Sequence, residues 1–80
     1  MTPYRNLSGT SNVLAYEIAP DSVAIQFNPR DFYLYTTQSV GAVNLQEMKQ
    51  LANKGIGLNS FINMRVRKMW ARKWVGWRIL

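Results

Sequence analysis

The chain has 80 residues, of which 48% are hydrophobic, and this length fits one small domain with no room for a second. It contains neither cysteine nor histidine, which excludes disulfides, thiolate or imidazole metal sites and the usual neutral-pH base. Only four carboxylates remain for acid–base chemistry, and their spacing nominates no acid–base pair. The composition therefore predicts a binding protein without catalytic residues, metal or cofactor, and not an enzyme.

The first 37 residues predict a leader followed by three strands. Residues 1–11 are polar and rich in turn-forming residues, so we expect a flexible leader before a single domain over residues 12–73. Apolar and polar residues then alternate in three runs separated by Pro-containing turns: Val13–Ala19, Ser22–Asn28 and Phe32–Thr37. Three strands joined by two short turns predict an antiparallel meander.

The hydrophobic period then changes to that of helices. The apolar residues of the first predicted helix recur at helical spacing: Leu45, Met48, Leu51 and Ala52. Asn44 with Glu47 fits a capping arrangement, and Gly55 fits a left-handed helix stop. A second helix is expected to begin near Asn59 and to run at least to Trp70. The prediction is an α+β domain of order β-β-β-α-α, with both helices packed on one face of the sheet, and a Trp- and Arg-rich tail over residues 74–80.

The net charge of +6 lies entirely in the last quarter of the chain. Four cations balance the four acids in residues 1–60, whereas residues 61–80 hold six cations and no acid. On a helical wheel Arg65, Lys68 and Arg72 align opposite the apolar side chains, which favours contact with successive phosphates of a polyanion. The alternative is that these cations form a solvated helix face that binds no partner. The candidate nucleic-acid-binding residues are Arg65, Arg67, Lys68, Arg72 and Lys73.

Five aromatic side chains are candidates for stacking or interface contacts. Trp70, Trp74 and Trp77 are spaced four and three residues apart, so they share one side of a helix if the helix continues. Core packing is the favoured interpretation for Trp70, and an interface with a second copy or another protein for the other two. Tyr33 and Tyr35 point to the same face of the third strand. They are either buried against the helices, which we favour, or displayed on the open face for base stacking.

The order of these motifs resembles a known family. Tyr33-Leu34-Tyr35 follows the strand Val23–Phe27, and a helix and the junction Gly55–Gly57 lead to Phe61-Ile62-Asn63 and Val66-Arg67-Lys68. This pattern is similar to that of the KTSC domain, named for the C-terminus of certain lysyl-tRNA synthetases. The chain departs from the family where Val40 is followed by Gly41 instead of proline. The resemblance implies a stand-alone bacterial or phage member, and it suggests RNA binding.

Two functional hypotheses follow. The first is a small nucleic-acid-binding module, for RNA more than for duplex DNA, which uses the basic C-terminal helix. The alternative is a protein-interaction module, such as a phage-type modulator of a host enzyme, that contacts an acidic partner through its Trp-rich C-terminus. Peripheral membrane attachment by the tail is a weaker hypothesis than these two, and homo-oligomers through the tail are compatible with all three. The start of the chain lacks an apolar signal region, and no stretch is long enough to span a bilayer, so we expect a cytoplasmic protein of a bacterial or phage-infected cell.

Overall fold

The computed structural model of the protein describes residues 1–75 and contains one five-stranded antiparallel sheet. The strands are neighbours in the same order as along the chain: β1 (Thr2–Pro3), β2 (Ala15–Ala19), β3 (Ser22–Gln26), β4 (Asp31–Thr36) and β5 (Arg72–Val75). Asn28 closes the turn between β3 and β4, because its side-chain oxygen accepts hydrogen bonds from the backbone N–H groups of Arg30 and Asp31.

The protein belongs to the α+β class, but the predicted three-stranded meander followed by two helices is wrong. The three predicted strands are present as β2, β3 and β4. Two further strands lie at the edges, where Thr2 pairs with Tyr16 and Arg72 pairs with Leu34. β1 has two residues and β5 has four, and neither shows the alternation by which a strand is recognised in a sequence.

Three α-helices and one π-helical turn connect β4 to β5: α1 (Thr37–Val40), α2 (Ala42–Lys54), α3 (Leu58–Phe61) and the π-turn (Ile62–Val66). α2 ends at Lys54 and is followed by Gly55, the predicted left-handed stop, which has a φ of +79°. The predicted N-terminal cap of α2, formed by Asn44 with Glu47, is wrong. The helix begins at Ala42, and the Asn44 side chain donates a hydrogen bond to the Val40 carbonyl. Within residues 1–75, no helix combines the length and the apolar character needed to cross a membrane.

The second predicted helix is much shorter than expected and ends with the π-turn at Val66, not beyond Trp70. The backbone N–H of Met69 donates to the Val66 carbonyl, and the N–H of Ala71 donates to the Leu34 carbonyl at 2.7 Å. The chain therefore turns back and runs along β4. Pairing with this edge satisfies backbone groups of β4 that a longer helix would leave without partners.

The core lies between the sheet and the helices. Val23, Ile25 and Tyr35 point from the sheet into this space and are at most 1% exposed. They pack with buried side chains of the helical segments: Val40, Leu45, Met48, Ala52, Leu58, Ile62 and Val66. Burial of each large aliphatic side chain contributes roughly 1.5–3 kcal/mol, which makes this layer the main source of stability.

Residues 1–7, which belong to the leader expected over residues 1–11, contact both the sheet and the helices. Tyr4 is 6% exposed, belongs to the core, and its hydroxyl accepts a hydrogen bond from the Leu58 N–H. The N–H of Leu7 donates to the Gly55 carbonyl at 2.7 Å. This segment therefore joins the edge of the sheet to the junction between α2 and α3.

Candidate functional site

A groove of about 430 Å³ opens on the helix-bearing side of the sheet, beside the start of β4. Its lining combines four aromatic, four amide, two charged and one aliphatic side chain: Phe27, Tyr33, Tyr35, Trp70, Asn12, Asn28, Asn59, Asn63, Asp31, Arg67 and Ile62. We call it the aromatic groove. Its volume lies in the range of small-molecule sites, but its lining is more polar than is usual for them, because six of the eleven side chains are amides or charged groups.

Aromatic rings form one part of the lining. Tyr33 and Tyr35 lie two residues apart on β4 and therefore point to the same face, toward the helices. The Tyr33 ring meets the Phe27 and Trp70 rings edge-on, at centroid distances of 5.1 and 4.9 Å. This orientation fixes the three rings relative to one another and leaves a polarisable apolar surface at the groove.

Tyr35 lies deeper and is 1% exposed. Its burial, with a smaller contribution from neighbouring Tyr33, raises the pKa of the Tyr35 phenol well above its ordinary value. The hydroxyls of Tyr4 and Tyr16 are hydrogen bonded to Leu58 and Asn53, whereas the Tyr35 hydroxyl has no such partner within residues 1–75. Tyr35 therefore brings a neutral hydroxyl, able to donate or accept, to the inner end of the groove.

The amides come from three separate parts of the chain. Asn59 and Asn63 are four residues apart on the α3–π-turn segment, and Arg67 follows four residues later, so helical spacing places all three on one side. Asn12 precedes β2. Among residues 1–75, the side chains of Asn12, Asn59 and Asn63 make no hydrogen bond to the protein. Each therefore retains amide donors and a carbonyl acceptor for a ligand.

The groove holds one carboxylate and one guanidinium that are not paired with each other. Asp31 projects from the first position of β4. Arg67 follows the π-turn and lies with Asn59 and Asn63 on one side of the groove, which we call the helical wall. The single ion pair found within residues 1–75 lies elsewhere and joins the Met1 α-amino group to Glu17 at 3.9 Å. A second cation lies beside the aromatic rings, since Lys73 Nζ is 5.4 Å from the Tyr33 centroid and 5.7 Å from that of Trp70.

The candidate cations do not share a helical face, so the predicted ridge of Arg65, Lys68 and Arg72 is wrong in its geometry. Arg65 and Lys68 are exposed at the end of the π-turn, but Arg72 lies on β5. Arg72 pairs with Leu34 and points to the sheet face opposite the helices, whereas the next residue, Lys73, pairs with Tyr33 and points to the groove side. Because successive side chains of a strand point to opposite faces, Arg72 and Lys73 lie on opposite faces of the sheet.

The tryptophans are separated in the same way. Trp70 packs partly against the core and lines the aromatic groove. Trp74 lies on the other face of the sheet, where its ring stacks on Phe32 at a centroid distance of 5.8 Å and an interplanar angle of 2°. The predicted common helical side is therefore wrong for these two, and Trp77 lies outside the described residues. The Nε1–H of Trp74 is buried and has no hydrogen-bond acceptor among the residues that the structure describes.

Sequence reasoning missed several groove residues. Phe27 falls in a predicted strand, Asp31 in a predicted turn and Asn12 at the start of the predicted domain, so the sequence pattern marks none of them as a site residue. The four-residue spacing of Asn59, Asn63 and Arg67 is a readable signal for one shared wall. Within residues 1–75 the structure contains no group of three acidic side chains that could hold a metal ion.

Comparisons of the chain with protein-family models, with curated proteins and with solved structures found no match. The resemblance to the KTSC domain therefore stays a prediction that these comparisons leave untested.

Proposed function

We propose that the protein is a small, non-enzymatic module that binds single-stranded nucleic acid, RNA in particular, at the aromatic groove. The observation that carries this proposal is the convergence of half-buried aromatic rings, unpaired amides and the Arg67 cation in one groove, with Lys73 beside the rings. Aromatic faces stack on bases, amides match the donor and acceptor edges of bases, and cations contact phosphates. The base and the phosphate of a nucleotide thus each have a complementary group at this site.

The groove favours a single strand because the faces of bases are hidden inside a duplex. Stacking on an aromatic side chain contributes roughly 1–3 kcal/mol per base, with little dependence on base identity. Trp70 and Tyr33 supply such surfaces, while Arg67 and Lys73 lie beside them. Arg65 and Lys68 are exposed next to this wall and extend the positive surface along which a phosphate backbone could continue.

The groove also agrees with the family resemblance. Tyr33, Tyr35, Ile62 and Asn63 belong to the motifs that resemble the KTSC domain, and all four line the aromatic groove. Residues that are far apart in the sequence but share a motif and a groove support a common binding role. A catalytic role is not part of the proposal, because the groove has one carboxylate and no nucleophile activated by a base.

The test is a binding titration against salt. A fluorescently labelled single-stranded RNA of about ten nucleotides is titrated with protein, and anisotropy is measured between roughly 50 and 200 mM salt. We expect binding that weakens with salt and that is stronger for the single strand than for a duplex of the same sequence.

Two arginine variants locate the site. Arg67→Gln removes the cation in the groove, and Arg72→Gln removes the same charge from the opposite face of the sheet. We expect R67Q to weaken binding and to reduce the salt slope by about 0.7, the value for one lost phosphate contact on a single strand. R72Q controls for the change in net charge. Equal effects of the two variants would place the site elsewhere, and absence of binding at low salt would end the proposal.

A further inference from the structure

Asp31 is a carboxylate held in place at the lining of a groove whose other charged residue is a cation. Its Oδ2 accepts a hydrogen bond from the Asn28 side-chain amide at 2.6 Å, and its backbone N–H donates to the Asn28 Oδ1 at 3.0 Å. These two bonds fix both the strand start and the direction of the side chain. Within residues 1–75 no cation lies within ion-pair distance of Asp31, so its second oxygen has no charged partner.

A carboxylate in this position opposes the binding of phosphate. Each phosphate of a nucleic acid is negative, and like charges in a partly shielded groove repel more strongly than in open water. Asp31 is half-buried, and the aromatic rings of Phe27 and Tyr33 line the same groove. The group that suits Asp31 is therefore an uncharged hydrogen-bond donor, while a phosphate suits Arg67 on the helical wall.

We propose that Asp31 is a specificity-determining residue that accepts hydrogen bonds from the uncharged donors of a bound nucleotide. This inference rests on the proposed function. Two parts of a nucleotide present such donors: the ribose 2′-hydroxyl, and the N1–H and N2–H groups of guanine. Both have the same chemistry toward a carboxylate, and the experiment below distinguishes them.

The decisive variant is Asp31→Asn, with Asp21→Asn as its matched control. The asparagine at position 31 keeps an oxygen that can accept from Asn28, so the turn is retained. Both variants remove one negative charge, but Asp21 is an exposed turn residue that does not line the aromatic groove. Electrostatics alone predicts that both variants bind any polyanion more tightly than the wild-type protein. The proposal predicts the opposite sign for D31N.

The probes are labelled single strands of about ten nucleotides that contain only adenine, cytosine and guanine, so that RNA and DNA differ only in the 2′-hydroxyl. A third strand is RNA with inosine in place of guanine, which removes only the N2 amino group. If the ribose is recognised, wild-type protein binds RNA about tenfold more tightly than DNA, as expected for one hydrogen bond to a charged group. If guanine is recognised, the inosine strand is the one that binds about tenfold more weakly.

In either case, D31N loses the preference by binding the preferred strand more weakly, whereas D21N retains it. The proposal is overturned if D31N behaves like D21N and binds every strand slightly more tightly than wild type. Should D31N fail to fold, the wild-type protein decides alone: equal affinity for all three strands overturns the proposal while the proposed function stands. Absence of binding to every strand would instead remove the proposed function and this inference together.

Discussion

Gly55 lies where the first residues of the chain contact the junction between α2 and α3, and substitution there tests that contact. A Cβ atom on Gly55 would lie 2.6 Å from the Cβ atom of Arg5, closer than two non-bonded carbon atoms approach in proteins. Gly57 is the matched control. It has a similar left-handed conformation, with φ of +87° against +79°, but its Cβ would make only an ordinary contact of 3.6 Å with Leu51.

The expected magnitudes follow from these two environments. Alanine in a left-handed conformation costs about 1–2 kcal/mol, so Gly57→Ala should lower the free energy of unfolding by that amount. Gly55→Ala has the same cost and must also displace Arg5. That displacement strains the hydrogen bond from the Arg5 guanidinium to the Asn53 carbonyl and the bond from the Leu7 N–H to the Gly55 carbonyl. At about 1 kcal/mol for each bond, the loss of one or both adds about 1–2 kcal/mol, so G55A should cost about 2–4 kcal/mol in all.

Urea unfolding, followed by circular dichroism, measures both values. The difference of about 1–2 kcal/mol corresponds to an additional fall in the urea midpoint of about 1–2 M, for a slope near 1 kcal/mol/M. Arg5→Gly removes the obstructing Cβ, so in that background G55A should cost no more than G57A. Equal destabilisation by G55A and G57A in the wild-type background would show that the first residues do not pack against Gly55, and would restore the prediction of a flexible leader.

Three further predictions concern the aromatic groove. Trp70→Ala should weaken binding of single-stranded RNA at least fivefold, because one stacking partner is lost. Trp74→Ala, on the opposite face of the sheet, should leave the affinity of the folded protein unchanged. Equal losses of affinity in anisotropy titrations of the two variants would contradict this. Lys73→Gln should reduce the salt slope of binding by about 0.7, and Arg72→Gln should not. Because the pKa of Tyr35 is raised above its unfolded value of 10.0, ionisation of the unfolded chain destabilises the wild-type protein as pH rises past about 10. The unfolding free energy of Tyr35→Phe should lack this component of the decline, and identical pH profiles of the two proteins would refute the assignment.

The central part of the fold was predictable because its pattern is local. Alternation identified β2, β3 and β4, and helical spacing with a terminal glycine identified α2 and its end at Gly55. The edges were not predictable in the same way. The spacing of Trp70 and Trp74 fits a helix, and only the open edge of β4 makes a strand more favourable for Arg72–Val75. That preference is a tertiary effect, and a local pattern does not contain it.

The candidate site was predictable to a similar degree. Tyr33 and Tyr35 were assigned to one strand face from their spacing, and the structure directs that face toward the helices. Arg67 and Trp70 were also among the candidate residues and line the groove. Asp31 was not among the candidate residues. Its place in the groove depends on the approach of the helical wall, whose residues are distant from Asp31 in the sequence. The separation of charged neighbours on β5 was missed since it required a strand where a helix was expected.

The aromatic groove takes its lining from parts of the chain that are far apart in sequence, from Asn12 through Asp31 and Asn59 to Trp70. Such a site disappears as soon as the domain unfolds, so an occupant that binds only the native state must also protect it against heat. An occupant at about one hundred times its dissociation constant adds roughly 2.7 kcal/mol to stability. The melting temperature thus becomes a detector of occupancy, and a panel of nucleotides and oligonucleotides can be ranked by thermal protection without a label on any of them.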